Sequence, residues 1–110
     1  MRFDVSIAHE ASCTRVTAIG EPTLGRLLSL LQVLEIDSAS WPREALLLDL
    51  RGLRSPLVQP EQLRLAAEAG RRLRRMKRIA VLGSETGPSD VAGVRLFGEA
   101  DAALKWLAAE

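Results

Sequence analysis

Apolar and polar positions along this chain change period several times, and each change marks an element. Phe3, Val5 and Ile7 alternate with Arg2, Asp4 and Ser6, the two-residue period of a strand with one wet face. A polar stretch from His9 to Ser12 leads to a second alternating run, Thr14 to Ile19, so the pair predicts an antiparallel hairpin. Gly20-Glu21-Pro22-Thr23 stops the strand and starts a helix, with Thr23 as the N-cap. From Leu24 to about Asp37 the period becomes helical. Leu24, Leu27, Leu28, Leu31 and Leu34 share one face, with Gly25, Arg26, Ser29 and Gln32 opposite. Val33 falls near that polar side and leaves the outer surface of the helix stickier than solubility requires.

After a loop from Asp37 to Pro42, with Trp41 at the core edge, Ala45-Leu46-Leu47-Leu48-Asp49-Leu50 runs apolar without a break. That is the pattern of a central strand covered on both faces. Arg51 to Pro56 reads as a loop, and Pro60 and Glu61 open a second helix that extends to about Arg75. Lys77 to Gly83 is another central strand, Gly83 to Gly93 a long loop, Val94 to Phe97 a last strand and Glu99 to Ala109 a closing helix. Two apolar strands joined through a helix require a parallel pair with a right-handed crossover. The expected fold is therefore α/β: one mixed sheet of about five strands, an N-terminal antiparallel hairpin, parallel central strands, and helices packed against it. It places Leu47, Leu48, Ile79, Val81 and Leu104 in one core.

The chain has 110 residues, the length of a single domain spanning 1–110, with 47% hydrophobic and 26% charged residues. A folded chain of this size exposes roughly 6,000 Å² and buries enough surface for a core without metal or disulfide support. The lone Cys13 excludes an internal disulfide framework and a multi-cysteine zinc site, and no metal or cofactor is expected. Charge within the first six residues argues against a secretory signal. The longest apolar stretch, Leu27 to Ile36, is broken by Ser29, Gln32 and Glu35 and is too short to span a bilayer. The expectation is a soluble cytoplasmic protein. Thirteen of the fifteen basic residues are Arg, and Asn and Tyr are absent, a bias that GC-rich bacterial coding would produce.

The segment Leu47-Leu48-Asp49-Leu50-Arg51-Gly52-Leu53, following a hairpin and a helix, resembles the strand and loop of the STAS and SpoIIAA-like superfamily, where a central strand ends in Asp-Leu-x-Gly-Val. Val94-Arg95-Leu96-Phe97 followed by Asp101 to Leu107 is similar to the superfamily's last strand and helix. The resemblance in element order covers nearly the whole chain and implies a small regulatory α/β domain. One departure matters for function. In the sporulation anti-sigma-factor antagonists, the loop after this strand carries an Asp-Ser pair whose Ser is phosphorylated by a partner kinase. Here Ser55-Pro56-Leu57-Val58-Gln59 has no such pair, and Ser55 is read as a turn-forming residue.

Catalysis needs an acid, a base or a nucleophile brought together. His9 lies at a solvated hairpin turn, a poor place to hold a base, and Cys13 reads as a small buried hydrophobe. Asp49, at the end of a central strand, reads as a cap for the loop that follows. The Gly83 to Gly93 loop has glycines and hydroxyls, yet no Lys follows its second Gly as a phosphate-binding P-loop would need. No enzyme activity is expected. The strongest compositional feature lies between Glu61 and Arg78: seven basic residues against two acidic ones. No aromatic residue interleaves with them for base stacking, which argues against nucleic acid. Glu68, four residues from both Arg64 and Arg72, is expected to pair with them along the helix.

These readings point to a non-enzymatic interaction domain whose partner is another protein or a second copy of itself. The candidate contact residues are Arg51, Arg54, Ser55, Arg64, Arg71, Arg75 and Val33. The alternative is a binder of a small apolar or lipid-like ligand in a cavity between helices and sheet, bordered by Leu27, Leu31, Leu48 and Trp106.

Overall fold

The computed structural model describes residues 3–54, 58–83, 89–91 and 93–109. Strand β1 (Phe3–His9) turns back into β2 (Thr14–Gly20), antiparallel, with Phe3 opposite Gly20 and His9 opposite Thr14. Helix α1 (Leu24–Asp37) starts at the expected cap: Thr23 is extended, and its Oγ1 accepts the Arg26 backbone N–H at 3.2 Å. A 3₁₀ turn (Ser38–Ser40) leads to β3 (Ala45–Leu53), α2 (Gln59–Arg72) and β4 (Arg78–Leu82). A short β5 (Ser89–Val91) precedes β6 (Val94–Phe97), and α3 (Ala100–Ala108) closes the chain.

The sheet has six strands in the order β1-β2-β3-β4-β6-β5. The inner pairs β2/β3, β3/β4 and β4/β6 are parallel, while both outer pairs, β1/β2 and β5/β6, are antiparallel. The five expected strands are present. The sixth, β5, lies within the stretch read as a loop. Three residues are too few to display a period, and only pairing with β6 makes them a strand.

From β2 through α1 to β3, and from β3 through α2 to β4, the chain steps twice in the same direction across the sheet. Crossovers of one hand then place both helices on one face, where they pack against each other. The sheet's other face carries α3, packed on β3, β4 and β6. Because side chains alternate along a strand, the single expected core is divided in two. Leu48, Ile79 and Val81 lie with Leu27, Leu31, Leu34 and Leu65 on the α1/α2 face. Leu47 lies on the other face with Ala80, Leu82, Phe97 and Leu107, and Leu104 packs there too. The total accessible surface, 6239 Å², is close to what a chain of this length should expose.

Near its end β3 contains one more residue than β2 does between paired positions: Thr17 faces Asp49, but Ile19 faces Gly52. Such a bulge switches the alternation, so Leu50 and Leu53, three apart, both reach the α1/α2 core. A Cβ on Gly52 would lie 2.4 Å from Ile19 Cγ2 and 3.3 Å from the Ala18 carbonyl oxygen. Glycine is required there because two strands approach too closely for a side chain.

Helix α2 opens as expected, with Glu61 accepting the Val58 backbone N–H at 3.2 Å. It ends earlier than its charge pattern suggested. Leu73 leaves helical geometry at φ −98° and ψ 56°, and Leu73 and Met76 both turn into the core. Arg74 and Arg75 are therefore beyond the helix and do not extend its stripe of charge.

Candidate functional site

Asp49 does not end its strand as the sequence pattern suggested: β3 runs on through Arg51 and Gly52 to Leu53, which puts Asp49 at its middle, with 5% of its surface exposed. Its carboxylate accepts the Arg51 backbone N–H at 3.0 Å and the Arg51 guanidinium at 3.1 and 3.0 Å. Burial alone would push this carboxyl up. The Arg51 hydrogen bonds, with the charges of Arg51 and Arg15, outweigh burial and hold it below its ordinary value. Asp49 is thus an ionised carboxylate bound to Arg51 within the strand, at its bulge, and not the cap of a following loop, and Gly52 is the close-approach residue nearby. The Asp-Leu-x-Gly segment has a structural explanation in full.

The candidate arginines do not form one surface. Arg51 is held by Asp49, Arg54 pairs with Glu21 at 2.9 Å, and Arg71 pairs with Glu68. Glu68 does not take the expected Arg64. Its second partner is Arg72, at 3.1 Å, and Arg72 also reaches Glu35 of α1 at 3.3 Å. Among the described residues Arg64 and Arg75 make no ion pair, and Arg75 is off the helix. Of the seven basic residues between Glu61 and Arg78, Arg71, Arg72 and Lys77 have carboxylate partners, while Arg74 and Arg78 join Arg64 and Arg75 in making no ion pair among the described residues. Ser55 lies outside the described residues, as do 84–88 and 92 of the stretch read as a loop.

Cys13 is fully buried in the α3-side core. Burial first, and Glu10 second, raise its thiol above the ordinary value, with Arg15 opposing them, so it is not an activated nucleophile. His9 Nδ1 lies 2.9 Å from Thr14 Oγ1 across the hairpin, and its ring stands edge-on to Trp41 at 6.1 Å. Among the described residues no group of three His, Cys, Asp or Glu side chains could hold a metal ion, and no described helix is long and apolar enough to cross a membrane.

The four residues expected to border a ligand cavity are divided by the sheet. Leu27, Leu31 and Leu48 are packed in the α1/α2 core, at most 1% exposed. Trp106 lies on the opposite face against Phe97, with the guanidinium groups of Arg78 and Arg95 at 5.4 and 5.1 Å from its ring centre. Alternation along β3 separates them, and no common cavity exists.

What the sequence reading missed is the flank where α1 meets β1. Phe3, Val5 and Ile7 point to the same side of the sheet as Val16 and Ala18, their neighbours on β2. The helix layer does not extend over them, and Val5 and Ile7 stay 37% and 41% exposed. Val33, the one apolar candidate, is 60% exposed on α1, and Ile36, one turn on, is 80% exposed. An open groove of about 400 Å³ runs between the two elements, lined by Phe3, Arg26, Ser29, Leu30 and Val33. The off-stripe position of Val33 was a visible signal. The exposure of β1 was not, because alternation is the same whether or not a helix covers the apolar side.

No family model matches this chain, and no curated protein matches it. Among solved structures, it is similar to an uncharacterized protein of the DUF3478 family with a SpoIIAA-like fold from Shewanella loihica PV-4. The TM-score is 0.56 and the identity 21%, over 97% of this chain and 96% of the other. That similarity extends over the whole architecture described above, from the hairpin to α3. This chain has a SpoIIAA-like α/β fold.

Proposed function

We propose that this SpoIIAA-like domain works without catalysis, as a cytoplasmic module that binds another protein through the flank formed by α1 and β1. The observation that carries this reading is the open groove of about 400 Å³ between Phe3 and α1, with Val33 exposed in its wall, on two elements that also leave Val5, Ile7 and Ile36 in water. Contiguous apolar exposure marks interaction sites, whereas single exposed apolar residues need no explanation. The arginines favour the same conclusion by default of charge. Arg51, Arg54 and Arg71 already have carboxylate partners, so an acidic partner would gain little at those three positions.

Capture and sedimentation with the wild type, Val33→Glu and an Arg71/Arg75 charge reversal test the reading. Expected are contacts that survive about 1 M salt, where the Debye length is about 3 Å, and that Val33→Glu abolishes while the charge reversal leaves them intact. Loss on charge reversal or in salt, with Val33→Glu still binding, would move the contact to the arginines.

A further inference from the structure

The flank borders an open sheet edge. Among the described residues no strand pairs with the outer side of β1, which runs for seven residues in regular register. Natural sheet edges are usually short, bulged, or carry Pro or Lys, since an unguarded edge templates pairing with another chain. The opposite edge follows that rule: β5 has three residues. The β1 edge has no Pro, Lys or bulge, only Asp4 as a charge, and its Val5 and Ile7 side chains are exposed.

The two ends of the flank carry opposite charge. Arg26 lines the groove beside Phe3 at one end. At the other, His9 meets Trp41, whose Nε1 donates to Asp37 at 2.9 Å, while Glu10 nearby is paired with Arg15 at 3.6 Å. A strand laid antiparallel along β1 from an identical flank would place the basic end of each copy against the acidic end of the other. Such charge complementarity fixes register and suppresses wrong partners.

We infer that the partner on this flank is a second copy of the chain, with β1 pairing antiparallel to β1 about a two-fold axis through Ser6. This deepens the interaction reading above and rests on it. Centring on Ser6 is the one register that pairs all seven residues. It sets Val5 opposite Ile7, Phe3 opposite His9, and Asp4 opposite Ala8, with no like charges face to face. Opposed residues in an antiparallel pair point to the same side, so the apolar residues of both strands share one side of a continuous sheet. The two α1 flanks, with Leu30 and Val33, then stand on either side of that apolar seam. Arg26 of each copy lies toward Asp37 of the other.

At the two-fold axis the paired Ser6 Cα atoms should be about 4.5–5.5 Å apart, inside the range a disulfide spans. Ser6→Cys should therefore oxidise readily to a reducible dimer, while the wild type, whose Cys13 is buried, should not. At about 0.1 mM the wild type should sediment with the mass of two chains, and Ile7→Lys, with unchanged circular dichroism, with the mass of one. A dissociation constant of about 1 µM would suffice. A wild type that stays a single chain, or a dimer that neither Ile7→Lys disrupts nor Ser6→Cys cross-links, overturns the inference. If a different protein is then captured in a Val33-dependent way, the interaction reading stands and only the second copy is excluded. If nothing is captured, both fall.

Discussion

Strands β3 and β1 belong to one sheet and both are rich in apolar residues, yet they stand in opposite circumstances. Along β3, six consecutive residues from Ala45 to Leu50 are buried, because helices cover both sides of the sheet there. Along β1, Phe3 is half-buried, and Val5 and Ile7 remain open to water. The difference is one of position in the sheet. Burial of a strand is set by its neighbours in space, and a regular pattern of apolar residues says only which side chains share a face. Stability in this protein is therefore concentrated in the middle of the sheet, while the edge is left available for contact.

That contrast can be tested by truncation. Leu48→Ala, in the α1/α2 core and 1% exposed, should cost about 2–5 kcal/mol in denaturant unfolding. An equivalent loss from Ile7→Ala would show that β1 is as covered as β3. Gly52→Ala should be next, destabilising by about 1–3 kcal/mol through overpacking, because its Cβ would collide with Ile19 Cγ2. Ile19→Ala removes that methyl group, so the double variant should recover part of the loss. Simple additivity of the two would refute the close approach as the cause.

Asp49 sharpens the comparison with a pH dependence. Its folded carboxyl titrates below the ordinary range, so its contribution is complete above the unfolded value near pH 3.9. The contribution is lost as pH falls through the folded value. Asp49→Asn should lower the melting temperature at neutral pH, by a stability difference of about 1–2 kcal/mol. The gap to the wild type should stay constant from pH 7 down to about pH 5 and close in stronger acid. A gap that widens on acidification would contradict the role given to Arg51. The smallest effect is expected at the edge: Ile7→Ala and Val33→Ala, at partly or largely exposed positions, should stay within about 0.5 kcal/mol of the wild type. Any strong effect of these changes should appear in association.

Local pattern was sufficient for much of the architecture. The helical spacing of Leu27, Leu31 and Leu34, the Thr23 cap, and the unbroken apolar runs of β3 and β4 each depend on neighbours a few residues away in the chain. The same holds for the contact of Asp49 with Arg51 two residues on, although the strand does not end there. Where the reading failed, the deciding contact was distant in sequence or had no side-chain pattern to report it. Helix α2 ended where Leu73 had to enter the core, and β5 exists only through β6.

The candidate site divides in the same way. Val33 was legible as an apolar residue off the buried stripe of its own helix. Val5 and Ile7 were legible as one side of a strand, but nothing within β1 reveals that the helix layer stops short of it. Leu48 and Trp106 could be paired on paper because both are apolar, and the sheet places them on opposite sides. The sequence by itself determined the elements, their order and the composition of each face, since these follow from backbone propensity and periodicity over a few residues. Tertiary structure alone decided which faces are covered, which arginines are neutralised, and that β1 is a long open edge. Those outcomes depend on the lateral order of strands and the side taken by each crossover, and no local stretch of the chain encodes either.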